Sequence, residues 1–90
     1  MGLTIDETIM GQFRDSLQIG EKSKATIDKY MRDIRTFAAF LAGEPVTKDA
    51  AIRYKQHLSD HYALSSANSM LTAMNSFLRF AGCPDCAVRT

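Results

Sequence analysis

The stretch Ser23–Leu41, SKATIDKYMRDIRTFAAFL, decides how this chain is read. Ile27, Tyr30, Met31, Ile34, Phe37, Ala38 and Leu41 recur at spacings of three and four, which places them on one face of a helix. Lys29, Arg32, Asp33 and Thr36 fall on the other face. Ser23 supplies a hydroxyl for the unpaired N–H groups of the first turn. Gly43-Glu44-Pro45 closes the far end, since proline cannot continue a helix. A second stretch, Ser65–Phe80, SSANSMLTAMNSFLRF, repeats the design with Ala67, Met70, Leu71, Met74, Phe77, Leu78 and Ala81 inward. Ser65 reads as its cap, and Gly82 followed by Pro84 as its stop.

Working outward, Ile5, Ile9, Phe13 and Leu17 predict a first helix over Ile5–Leu17, with Thr4-x-x-Glu7 as a capping box and Gly20 at its end. Gly11 inside it costs about 1 kcal/mol relative to alanine, so either a close helix contact requires it or the helix starts later. Thr47 caps a third helix over Lys48–Tyr62, with Ala51, Tyr54, Leu58 and Tyr62 inward. Nothing reads as a strand. Helices joined by a few residues predict an all-α fold, a compact orthogonal four-helix bundle. Gly82 to Thr90 lacks periodicity, so the expected organisation is one domain over 1–82 and the start of a linker over 83–90.

Ninety residues, 46% of them hydrophobic, suffice for one core and not for a second domain. The formal net charge of +1 says little by itself about partners, but its distribution is uneven. Residues 1–21 set Asp6, Glu7, Asp15 and Glu21 against Arg14 alone, whereas over residues 22–79 cations outnumber carboxylates. No apolar run approaches the roughly 20 residues that cross a bilayer, and no basic-then-apolar leader follows Met1. Asp6 stands where acylation of Gly2 would need Ser or Thr. The expectation is a soluble, cytoplasmic protein.

Cys83-Pro84-Asp85-Cys86 has the spacing of a zinc or thiol-exchange pair, but a zinc site needs a second ligand pair and a redox motif a βαβ setting. It reads as two reduced thiols. His57 and His61 lie one helical turn apart, yet Leu58 stands where the metalloprotease motif has Glu and no third ligand is evident. They read as solvated surface histidines, so neither metal nor cofactor is expected. The polar face of the fourth helix carries Ser65, Ser66, Asn68, Ser69, Thr72, Asn75, Ser76 and Arg79, and no carboxylate occurs between Asp60 and Asp85. Small neutral donors beside a cation can approach phosphate without repulsion, and a helix N-terminus adds N–H groups and partial positive charge. Any solvated helix face has a similar composition, so this alone decides nothing.

Thr26, Tyr30, Asp33-Ile34-Arg35, Phe37 and Phe40-Leu41, followed by Ser65-Ser66 and Phe77-Leu78-Arg79-Phe80, together resemble the N-terminal core-binding, SAM-like domain of tyrosine recombinases, the phage integrase family. The resemblance spans nearly the whole chain. It implies a domain that grips duplex DNA jointly with a separate catalytic domain, its second and fourth helices meeting the major groove and flanking phosphates. Carried over by matching position, the DNA contacts are Ser23, Lys24, Ala25 and Lys29 at the start of the second helix and Ser65, Ser66, Asn68 and Ser69 at the start of the fourth, and Lys22, Arg32 and Thr72 on the polar faces of the same helices complete the candidate set. Ala25 stands where relatives can carry a basic residue. The family's nucleophilic tyrosine belongs to the catalytic domain, so Tyr30, Tyr54 and Tyr62 are not candidates, and this stretch is expected to be no enzyme by itself. The implied partners are double-stranded DNA, other recombinase protomers and the catalytic domain of the same protein. A helical protein-interaction module is the alternative the residues leave open.

Overall fold

Three of the four helices begin on a side chain that accepts a hydrogen bond from the first turn. In the computed structural model, which describes residues 3–90, α1 spans Glu7–Ile19, α2 Lys24–Leu41, α3 Lys48–His61 and α4 Leu64–Phe80. A short 3-10 turn, Pro84–Cys86, follows. Met1 and Gly2, and with them the acylation position considered above, lie outside the described residues. Asp6 accepts from the Ile9 N–H at 2.9 Å, Ser23 from Thr26 at 3.2 Å and Thr47 from Ala50 at 3.0 Å.

Two predicted caps are corrected. Asp6, extended at φ −129°, starts α1, so Thr4 and Ile5 precede the helix. Gly11 still lies inside the later-starting helix, and no close contact requires it, for nothing lies within 4 Å of a Cβ built there, so nothing in the structure explains the glycine. α4 has Ala63 at its N-cap position, two residues before the predicted cap, so Ser65 sits inside the first turn and no side chain caps this helix.

α2 is the hub, packing on α4, α1 and α3. Ile34 and Phe37 are fully buried at its centre, and Phe37 meets Tyr54 of α3 with ring centroids 4.7 Å apart. Phe13 of α1 packs edge-on against Phe77 of α4 at 5.3 Å. On α1 the buried side chains are Met10, Phe13 and Leu17, with Ile5 and Ile9 only partly covered. Met10 shares the face of Phe13 and Leu17, three and seven residues on, and so is inward where Ile9 is not. On α3 the buried set is Ala50, Ala51, Tyr54 and Leu58. Tyr62 does not point inward as predicted: the helix ends at His61, Tyr62 is extended at φ −132°, and its side chain is 43% exposed.

At the end of α1 the left-handed conformation falls on the residue after the glycine, whereas Gly43 and Gly82, beyond α2 and α4, hold it themselves at φ +90° and +82°. At the end of α1, Gly20 keeps φ −75° and Glu21 turns to φ +60°. There Glu21 N–H donates to the Gln18 carbonyl and Lys22 N–H to that of Leu17. After α2, Ala42 takes φ +51° before Gly43.

The tail is not free chain. Cys83, Cys86 and Val88 pack against the core. Asn75, predicted to face solvent on α4, is 6% exposed and clamps Val88 from both sides. Its Nδ2 donates to the Val88 carbonyl at 2.7 Å, and its Oδ1 accepts from the Val88 N–H at 3.0 Å. Lys48 Nζ donates to the Ala87 carbonyl. Buried amides with both partners met are stabilising, so residues 83–88 pack against the four helices.

Candidate nucleic-acid interface

Between α2 and α4 runs an open crevice with two compartments. The wider, about 440 Å³, is lined by Lys29, Arg32, Asp33 and Thr36 of α2, by Ser65, Ser66, Ser69 and Met70 of α4, and by Tyr62. The second, about 360 Å³, lies toward the N-terminus of α2, between Ala25, Thr26, Lys29 and Tyr30 on one side and Ser69 and Thr72 on the other. Lys29 and Ser69 belong to both and form the partition.

Of the residues expected to meet DNA, Lys29, Arg32, Ser65, Ser66, Ser69 and Thr72 come together on this crevice. Lys22, Ser23 and Lys24 lie exposed beside it at the start of α2. The Ser23 hydroxyl is already engaged, accepting from Thr26 N–H and donating to Thr26 Oγ1 at 2.9 Å. Lys24 makes a loose, exposed pair with Asp28 at 3.7 Å, a contact of little energetic weight. Asn68 is placed elsewhere. It lines a separate cavity with Lys55, Ser59, Tyr62, Leu64 and Leu71, one helical step around α4 from the crevice.

Asp33 corrects the expected polar face of α2. It is buried at 6% exposure and paired with Lys29, whose ammonium also donates to the Ser69 carbonyl at 3.3 Å. A helical wheel sends Asp33 outward; the approach of α4 covers it. Beneath the crevice, the Tyr54 hydroxyl is buried without a hydrogen-bond partner among the described residues. Burial first, then the charges of Asp33 and Tyr62, hold this phenol above its ordinary value. Arg32 is exposed; its carbonyl accepts from the Thr36 hydroxyl at 3.1 Å, but its guanidinium has no intramolecular partner among the described residues. The hydroxyls of Ser65, Ser66 and Ser69 likewise have none there, and without a cap on α4 the first-turn N–H groups stay open.

Residues 10–82 match the family model of the phage integrase N-terminal SAM-like domain. The chain belongs to this family. The all-α, four-helix architecture is that of the integrase N-terminal domain. No curated protein and no solved structure matches the chain.

The other motifs of this integrase domain have structural settings of their own. His57 packs against Phe40 at 5.1 Å and His61 at 4.5 Å, partly covered rather than fully solvated, and among the described residues no group of three potential metal ligands gathers. Cys83 and Cys86 are free thiols, half-buried. Burial, followed by neighbouring Cys83 and Asp85, pushes the Cys86 thiol above its ordinary value, which disfavours the nucleophilic thiolate. No helix is long and apolar enough to cross a membrane among the described residues. Sequence reasoning missed Thr36 and Tyr62 as crevice residues; Thr36 was visible one turn beyond Arg32, whereas nothing in the sequence foretold that Tyr62 would leave the helix.

Proposed function

We propose that this integrase N-terminal domain binds duplex DNA across the α2–α4 crevice, as the DNA-gripping module of a tyrosine-type site-specific recombinase. The observation that carries the proposal is the convergence of Arg32 with the unpartnered hydroxyls of Ser65, Ser66 and Ser69 at the uncapped start of α4. A guanidinium, small hydroxyl donors and open N–H groups suit phosphate oxygens and base edges. The single carboxylate in the crevice, Asp33, is neutralised by Lys29. Lys22 and Lys24 extend the positive edge along the start of α2. Contacts of this kind position the domain on the duplex, while the joint grip with a catalytic domain and pairing with other protomers follow from the family resemblance.

Fluorescence anisotropy with a labelled mixed-sequence duplex, repeated over a salt series, tests this. If Lys22, Lys24 and Arg32 neutralise roughly three phosphates, log affinity falls with log salt at a slope of about −2.7. Nonspecific binding by so small a domain should be weak, with Kd in the range of about 10⁻⁴–10⁻⁶ M. Affinity independent of salt would refute the proposal.

The interaction-module reading rests on Leu64, 77% exposed beside the crevice, and Tyr62 next to it. Removing Leu64 should leave DNA affinity unchanged under the DNA reading.

A further inference from the structure

We infer that Lys29 is a strut that sets the spacing of the two crevice helices and silences Asp33, and that Arg32 is the cation of the crevice that meets the anion. The inference rests on reading the crevice as DNA-facing for its second half; the strut itself does not depend on DNA.

Four observations converge. Asp33 is 6% exposed, and a buried carboxylate without a partner is costly, so Lys29 is held by Asp33 as much as the reverse. The pair runs Lys to Asp along the helix, the less favourable direction for a spacing of four, so helix propensity alone does not explain it. The Lys29 ammonium reaches across to the Ser69 carbonyl, in the middle of α4, and so ties α2 to α4 at the partition between the compartments. Arg32, one turn from Asp28 and one residue from Asp33, pairs with neither and stands exposed over the wider compartment among serine hydroxyls.

A lysine with both a buried counter-ion and a carbonyl acceptor has given up most of its capacity to displace counter-ions from phosphate. Deleting it should harm DNA binding indirectly, by baring the charge of Asp33 inside the crevice and loosening α4. Deleting Asp33 as well should therefore repair much of the damage. A lysine that touches phosphate directly predicts the opposite, because the second deletion returns nothing that contact supplied.

The test uses the 90-residue chain and four variants: Lys29→Met, Asp33→Asn, their combination, and Arg32→Ala. Urea unfolding without DNA comes first. Lys29→Met should raise the unfolding constant about tenfold or more, and the combination should be less damaging than the product of the two single effects. Independent effects of the two substitutions would overturn the strut, and a Lys29→Met chain too unstable to measure must regain a folded baseline when Asp33→Asn is added. Anisotropy with the mixed-sequence duplex comes second. The double variant should bind within about threefold of the parent with its salt slope unchanged, whereas Arg32→Ala should make the slope shallower by about 0.9. A double variant that stays weak with a slope shallower by about 0.9 would make Lys29 a direct phosphate contact and overturn the division of roles. Coupled unfolding in a parent chain that shows no duplex binding would leave the strut standing and refute both the DNA-binding proposal and the role given to Arg32.

Discussion

Replacing Tyr54 by phenylalanine should make this domain more stable, because the substitution removes one oxygen and leaves every ring contact in place. Tyr54 is 1% exposed, and its ring packs on Phe37 at 4.7 Å, Phe40 at 5.2 Å and His57 at 6.4 Å. Its hydroxyl has no partner among the described residues. An unmet buried polar group costs about 1–3 kcal/mol, and the small void left by its removal takes back part of the gain. A net increase of about 1 kcal/mol follows, or about 4–8 °C in Tm for a domain of this size. The same burial fixes the sign of an alkaline effect. With the folded-state value above the ordinary 10.0, the unfolded chain loses its phenolic proton first as pH rises past that point. The ionisation of this group leaves stability untouched below pH 10.0 and lowers it, by about 1.4 kcal/mol per pH unit, as pH climbs from there toward the folded-state value. Urea unfolding followed by circular dichroism, from neutral to about pH 11, reads both effects, and lysines and the other tyrosines cancel between parent and variant. A variant less stable at neutral pH, with an alkaline profile parallel to the parent's, would refute the reasoning.

Asn75→Ala should cost about 2 kcal/mol for two lost hydrogen bonds, and hydrogen exchange should show the Val88 amide unprotected; undiminished protection would mean that the tail is held by other contacts. Glu21→Gly should gain roughly 0.5–1 kcal/mol by relieving a left-handed residue that carries a Cβ, measured as a rise in urea midpoint. Phe37→Ala should cost about 3–5 kcal/mol, a large share of the roughly 5–15 kcal/mol available to a domain, and thermal melts should show a large fall in Tm or no cooperative transition.

Helix number, order and most inward faces were legible because each helix carries a long apolar stripe of period 3.6, and the resemblance on Thr26, Tyr30, Asp33-Ile34-Arg35 and Phe37 pointed to the family that the comparison establishes. The start of α1 was misplaced because Thr4 and Asp6 are both competent caps, and only packing selects between them. Ser65 was taken for a cap because serine is favoured there, although α4 in fact begins on Ala63 without one. Asp33 and Asn75 escaped for a shared reason. A polar residue outside the apolar stripe reads as solvated, and its burial depends on a partner distant in sequence: α4 for Asp33, Val88 for Asn75. The same limit hid the pairing of Lys29 with Asp33 and with the Ser69 carbonyl, because the sequence shows Lys29 only as a cation on a polar face. Composition could place Asn68 on the polar face of α4 but not on which side of that face it would lie.

The central claim, that DNA meets the α2–α4 crevice, is tested most directly by following the amide resonances of the isotope-labelled chain during titration with a mixed-sequence duplex at low salt. The shifts should concentrate on the exposed positions of α2 between Lys24 and Thr36 and on Ser65 to Thr72 of α4, and should fade as salt is added. Shifts confined to α1 and α3, or unchanged by salt, would contradict the account and move attention to the interaction-module reading.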